Sequence, residues 1–301
     1  MSKITRVGVV RWDARGDITT FFGASAYRTL RNPKYRGRLP FYTRFSGADE
    51  LSGFDFPTDP AEYADEETRL AASAGADYFM FCYYPNTPFY KVDYGKNVGL
   101  STIAPYLYQL NAGMNAYKNL PDKHGVKWCA IIGVSRLDDG DYEKLADDFG
   151  SDDYEKIDGR PLVYVFTRDE EDYAAKIRQA AKKRGFAPFV IPAIAMGWDP
   201  RPRIDAPVVW YGYPDGEYEE LGEKEILDQA EAARKLPGDS AASVGHATFF
   251  AWDEFEEGGW ICPTVTVDEN GEPVRDKSGK IVINDDKLRV FSAAVKVLKS
   301  E

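Results

Sequence analysis

The amino-acid sequence predicts an α/β fold, a (β/α)8 barrel built from residues 1–301 as a single domain. Three observations carry that expectation. Apolar, β-branched runs alternate with helix-patterned segments along the chain, the order that a parallel sheet requires. Several runs, such as Tyr78-Phe79-Met80-Phe81-Cys82, are apolar at every position rather than every second one, as in strands covered on both faces. The residues best equipped for chemistry follow directly after those runs, where barrel enzymes keep their sites.

Residues 5–12 alternate and are β-branched, which suits a first strand. Residues 14–56 show no sustained period and are read as a long, aromatic- and arginine-rich loop. Residues 60–74 form a helix, with Asp59 as its cap and Pro60 at its first position. Strands are then expected at 76–84, 127–134, 161–166, 189–195 and 247–252. Helices are expected near 101–118 and at 141–149, 169–184, 222–236 and 286–299. The stretch between Phe166 and Glu254 is short for the remaining βα units, so the second half of the barrel is expected to be shortened or irregular. Residues 265–284 carry two turn signals, Asp268-Glu269-Asn270-Gly271 and Asp276-Lys277-Ser278-Gly279. They read as a β-ribbon inserted after the last barrel strand.

Composition excludes more than it nominates. A net charge of −11 argues against nucleic-acid partners, which call for a basic face. No run approaches the ~18 consecutive apolar residues of a membrane span. The first residues lack the apolar core and cleavage site of a secretion signal, so the expected location is cytoplasmic, or exported without a visible signal. Cys82, Cys129 and Cys262 have neither disulfide nor zinc spacing and read as core thiols. No phosphate loop follows a strand, so no nucleotide cofactor and no metal are expected.

The strongest chemical signal is Trp252-Asp253-Glu254-Phe255-Glu256-Glu257-Gly258-Gly259-Trp260. A strand delivers carboxylates to its end, with two glycines following and tryptophans on both sides. Cleaving a glycosidic bond uses one carboxylic acid to protonate the leaving oxygen and a second carboxylate as base or nucleophile. Indole faces suit the C–H surface of a sugar. Glu254 and Glu257 are therefore the candidate catalytic pair, and the crowd of Asp253, Glu254 and Glu256 is expected to favour the protonated form of Glu257. The competing readings are a solvated acidic turn and a magnesium or calcium site. A second constellation, Gly197-Trp198-Asp199-Pro200-Arg201-Pro202-Arg203, offers Trp198, Asp199, Arg201 and Arg203 for sugar hydroxyls, or else a salt-bridged loop. A third, Tyr83-Tyr84 with Trp12-Asp13, offers a stacking surface at the barrel rim, although core filling explains either tyrosine equally. Together with Trp252, Asp253 and Trp260, these are the candidate substrate contacts.

These motifs resemble those of the glycoside hydrolase family 99-like proteins, whose bacterial branch includes WbsX-type proteins labelled as glycosyltransferases of O-antigen clusters. Residues 252–264 are similar to that family's Trp-Asn-Glu-(aromatic)-x-Glu-Gly motif ending in Pro, and residues 197–203 to its Gly-Trp-Asp-x-Arg-Pro-Arg motif. Residues 74–84 resemble its second strand, and Ile157-Asp158-Gly159-Arg160-Pro161 its strand entry. The resemblance implies a (β/α)8 barrel acting on an oligosaccharide or polysaccharide, with retention of configuration, in the manner of an endo-α-mannosidase. It implies that Glu257 is general acid/base and that Glu254 activates the sugar's own 2-hydroxyl. The alternatives are a glycosyltransferase of polysaccharide or O-antigen biosynthesis and a non-catalytic glycan-binding barrel. One departure bears on the chemistry: Asp253 stands where the family motif has Asn.

Overall fold

The computed structural model describes residues 3–13, 21–45, 53–86, 109–166, 170–192, 223–234, 244–256 and 258–300. It is an α/β structure around one largely parallel sheet. In chain order the elements are β1 (Arg6–Arg11), α1 (Phe21–Leu30), α2 (Ala64–Ala74), β2 (Tyr78–Cys82), α3 (Ala112–Lys118), β3 (Lys127–Ile132), α4 (Asp139–Asp147), β4 (Lys156–Ile157) and β5 (Arg160–Val165). There follow α5 (Glu170–Lys182), β6 (Phe189–Pro192), α6 (Glu223–Arg234), β7 (His246–Phe249), β8 (Asp253–Glu254), β9 (Gly259–Trp260), β10 (Thr264–Val265), β11 (Ile283–Asn284) and α7 (Asp286–Lys299).

β7, β1, β2, β3, β5 and β6 lie side by side in that order, and every neighbouring pair is parallel. β7 lies beside β1, and among the described residues β6 and β7 do not pair with each other, so the expected closed (β/α)8 barrel is not seen there. Short β4 adds an antiparallel edge to β5. Both faces of the strands are buried, as their uniformly apolar sequences predict.

Side chains on one face show that the sheet is curved. The Tyr78 hydroxyl on β2 lies 3.0 Å from that of Tyr164 on β5 and 3.3 Å from His246 Nδ1 on β7. Both partners are two strands away, on opposite sides. Strands are spaced ~4.8 Å apart, so contacts of that reach on both sides need a sheet rolled toward this face. Gly8 makes room for the Tyr78 ring, since a Cβ there would sit 2.3 Å from Tyr78 Cε2. On the other face Phe79 and Phe81 pack against Tyr117 of α3, and Phe249 meets Phe291 of α7 edge-on at 4.7 Å.

Local chemistry explains the helix ends. Asp59 caps a short 3-10 turn, Pro60–Glu62, before α2, and Gly75 closes α2 at φ 98°. Asp138 and Asp141 form a reciprocal capping box on α4. Residues 264–284 form the two-turn ribbon: β10 pairs antiparallel with β11, and Val267–Pro273 and Arg275–Ile281 bridge within it.

Two expectations are corrected. Part of the long loop is helical, forming α1 and a 3-10 segment, Pro33–Arg38. The buried stripe of α1 is Gly23, Ala26, Tyr27 and Leu30, at true helical spacing, but glycine and alanine carry little apolar signal. β7 also ends sooner than expected. After Phe249 the Trp252 N–H still bonds to the Val10 carbonyl at 2.7 Å. The Trp252 carbonyl, however, accepts from Ile261 and Cys262, so the chain turns into the β8–β9 hairpin. Of the strand expected at 189–195, residues 193–195 lie outside the described residues, as do 101–108 of the helix expected near 101–118. Among the described residues, no helix is long and apolar enough to cross a membrane.

His246 makes the interior of the roll pH-sensitive. Burial first, and then the charge of Arg6, lower its pKa from 6.5 to about 4, against a smaller pull upward from Asp77. The folded value lies below the unfolded one, so protonation favours the unfolded chain. Stability is full above about 6.5 and falls as pH drops toward about 4, by roughly 3 kcal/mol from this group. Urea denaturation of wild type and His246→Asn across that window is expected to show a shallower loss in the variant. Equal slopes would mean that His246 does not titrate there.

Candidate active site at the C-terminal strand ends

A buried ion pair organises the site. Arg11, the last residue of β1, is fully buried, and its Nη2 donates to Glu67 Oε2 on α2, also fully buried. Arg11 Nε donates to Asp13 Oδ1 at 3.0 Å. The guanidinium carbon lies 5.2 Å from the ring centre of Phe79 and 5.4 Å from that of Phe81. Burial opposes the Arg11 charge, but Asp13, Glu67 and Asp253 outweigh it and hold the guanidinium above its ordinary pKa. Glu67 Oε1 accepts from the Trp252 indole at 3.2 Å and faces the Cys262 thiol at 3.8 Å. One carboxylate thus ties α2 to the end of β1 and to both approaches of the β8–β9 hairpin.

That hairpin carries the acidic motif. Asp253 pairs with Trp260 and Glu254 with Gly259. Side chains alternate along a strand, so Asp253 and Trp260 share one face and Glu254 takes the other. Asp253 Oδ1 accepts the Trp12 N–H at 2.9 Å, locking the hairpin to the end of β1. Asp253 and Glu254 are buried, at 1% and 2% exposure. The Cys82 thiol, at the end of β2, is pushed well above its ordinary pKa by burial first and then by Glu254, Asp253 and Asp13. Carboxylates after β1 and in β8 thus act on a buried thiol at the end of β2. Gly113 of α3 completes the floor, since a Cβ there would fall 2.1 Å from the Asp13 carboxyl.

The structure ties Trp12 to Asp253 and Asp13 to Arg11, and puts Glu254 next along the hairpin on its other face. It places others differently from the sequence reading. Tyr83 and Tyr84 are not an exposed stacking surface: they are 1% and 5% exposed. Tyr83 turns its hydroxyl to Asn86 Nδ2 at 2.7 Å, and the Tyr84 backbone is fixed by Asn111. Trp252 is fully buried, with its indole donating to Glu67. Trp260 lines a separate cavity, among whose described lining residues Glu254 does not appear. Glu257, Trp198, Asp199, Arg201 and Arg203 lie outside the described residues. Among the described residues, no group of three or more His, Cys, Asp or Glu side chains is placed to hold a metal ion.

Sequence reasoning missed Arg11, Glu67, Asn111 and Gly113. A signal existed for Glu67, which shares the buried stripe of α2 with Ala64, Ala71 and Ala74. An acid on an apolar stripe needs a buried partner, whereas in the first turn it reads as a complement to the helix dipole.

No family model and no curated protein matches the chain. Among solved structures it is similar to the GH99 endo-α-mannosidase from Bacteroides thetaiotaomicron, at 11% identity and a TM-score of 0.49, over 98% of this chain and 99% of that one. It is also similar to a structure of the GH99 endo-α-mannosidase in complex with bis-tris-propane, at 13% identity and a TM-score of 0.47, over 98% of each chain.

Removing one partner of a buried ion pair strands the other charge. Glu67→Gln is expected to lose about 3–5 kcal/mol of stability, and replacing Arg11 and Glu67 together by Met and Leu at least as much, because Asp13 and Asp253 then keep buried charges without their cation. Denaturant titration of the three proteins checks this. A loss below about 1 kcal/mol in Glu67→Gln would place the pair among weak, solvated bridges.

Proposed function

We propose that this chain is a carbohydrate-active enzyme on a barrel-type α/β fold: a retaining, endo-α-mannosidase-like glycoside hydrolase working through Glu254 and Glu257. What supports the reading is that Asp13 and Asp253 are fixed at the C-terminal ends of parallel strands through Arg11 and Trp12, with Glu254 next along the hairpin. That is the end where barrel enzymes assemble chemistry from several loops. The rolled sheet, with β7 beside β1, supports the barrel. The order of the acidic and Gly-Trp-Asp motifs supports the carbohydrate class.

In this reading Glu257 protonates the departing glycosidic oxygen and later takes a proton from the attacking water. Glu254 draws the proton from the sugar's 2-hydroxyl, whose oxygen displaces the leaving group, and returns it to that oxygen when water opens the three-membered ring, so two inversions at the anomeric carbon leave its configuration retained. Asp13 and Trp12 position the hairpin and border the sugar, and Asp253 holds the hairpin in register through the Trp12 N–H.

General acid–base catalysis contributes about 10²–10⁴-fold, so Glu254→Gln and Glu257→Gln are each expected to lose at least that much turnover while still binding glycan. A glycan-library screen scored for both turnover and binding, with the product's anomeric form followed by NMR, tests this. Wild type that binds glycans and cleaves none would instead be a non-catalytic glycan-binding barrel, and turnover unchanged in both variants would refute the pair.

A further inference from the structure

We propose that the cavity beside Trp260 is a second carbohydrate subsite, which holds a neutral sugar unit by its hydroxyls. The cavity measures about 580 Å³, within the ~300–1,000 Å³ of small-molecule sites. It opens between the 3-10 segment Pro33–Arg38, the β9–β10 strand region and the starts of α6 and α7.

Its floor is made of side chains that are buried but not engaged as hydrogen-bonding groups. Tyr35, Trp260 and Thr264 line the cavity at 4%, 5% and 3% exposure. Among the described residues, the Tyr35 hydroxyl, the Trp260 indole N–H and the Thr264 hydroxyl have no hydrogen-bond partner. Buried tyrosine and tryptophan usually find a partner for that polar tip, and a buried group left without one costs stability. Three such groups around one cavity are unfavourable for a core and useful for a ligand rich in hydroxyls. Packing fixes where they point. The Arg38 guanidinium carbon lies 4.7 Å from the Tyr35 ring centre and 5.3 Å from that of Trp260, so one side chain packs on both rings. Thr264 pairs with Asn284 across β10 and β11, which puts their side chains on one face. The Asn284 carbonyl oxygen accepts the Asp286 N–H at 2.9 Å, and its amide N–H groups add donors at the exposed mouth of the cavity, where Glu223 and Asp286 add acceptors.

The ligand class follows from this set. Indole and amide N–H groups only donate, carboxylates only accept, and the hydroxyls of Tyr35 and Thr264 do either. A sugar hydroxyl donates and accepts at once, so neighbouring hydroxyls of one ring suit such a mixture. Arg38 and Lys287 lie over the Trp260 ring, the latter with Nζ 4.1 Å from its centre, so the indole contributes its N–H edge and not a stacking face. The choice of a sugar rests on the carbohydrate reading above. Trp260 and Glu254 occupy opposite faces of the hairpin, so binding here is measurable with or without turnover.

Titration of the full chain with a panel of neutral oligosaccharides, followed by NMR at the Trp260 indole N–H, tests the proposal. That resonance is assigned by its loss in Trp260→Phe. A saturable shift with at least one neutral oligosaccharide is expected, in wild type and in Glu254→Gln alike. Tyr35→Phe combined with Thr264→Val removes two hydroxyls and no bulk, and is expected to weaken that binding about tenfold while circular dichroism shows the fold intact. Added salt should leave the affinity unchanged, since a neutral ligand has no charge to screen. A Trp260 resonance unmoved by every neutral oligosaccharide, a shift lost in Glu254→Gln, an affinity that falls steeply with salt, or one unchanged in the double variant would overturn the proposal. Turnover that needs Glu254 while the Trp260 resonance stays still would leave the hydrolase reading standing without this subsite. A titrating Trp260 in a chain that cleaves no glycan would keep the subsite and end the hydrolase reading.

Discussion

The Arg11–Glu67 ion pair is the constraint on which the arrangement of strand ends depends. Two charges taken out of water each cost several kcal/mol, recovered only when geometry and further hydrogen bonds are good. Here the further bonds are the architecture. Arg11 reaches Asp13, Glu67 reaches Trp252 and Cys262, and the guanidinium lies against Phe79 and Phe81. Sliding α2 along the sheet, or letting the hairpin drift, would strand a charge in the interior. Apolar packing tolerates small slips, whereas a bonded buried charge tolerates few, which is how a pair of modest net stability can still fix a position.

From that anchor the hairpin sorts chemistry by face. Two-residue strands leave little freedom, and the pairing of Asp253 with Trp260 decides the rest. Glu254 takes the other face, and burial, with the charge of Glu254 adding to it, keeps Cys82 a neutral thiol and so a poor nucleophile. Trp260 turns toward Arg38 and Lys287. Glu254 and Trp260 thus face opposite sides of one short hairpin.

Much of this was legible in sequence, and the failures have identifiable causes. The parallel strands were readable because they are apolar on both faces, and α7 because its period, acidic start and lysine-rich end agree. The ribbon was readable from Asn270-Gly271 and Ser278-Gly279. Helix α1 was not, because half its buried stripe is glycine and alanine. Tyr83 and Trp252 were read as ligand-facing because an aromatic at a strand end looks the same in sequence whichever face it takes. Only the partners, Asn86 for Tyr83 and Glu67 for Trp252, reveal the direction. Glu67 is the converse case: its position suited a helix start so well that its burial went unread.

The aspartate at 253 shows how local sequence and distant packing answer each other. The resembling family motif has asparagine there, and an asparagine oxygen would accept the Trp12 N–H as well as a carboxylate does. The hydrogen bond alone therefore does not call for the charge. The charge brings a further negative group into a dry cluster beside Glu254 and Asp13, which like-charge repulsion opposes. Arg11 supplies the compensation, since Asp253 is among the groups that hold its guanidinium charged against burial. Arg11 thus answers three carboxylates, Asp13, Glu67 and Asp253, and the last of these precedes Glu254 on the hairpin. The departure from the motif is accommodated because the nearest strand ends in a buried arginine, and the fitness of Asp253 for its place is a property of Arg11 as much as of the hairpin.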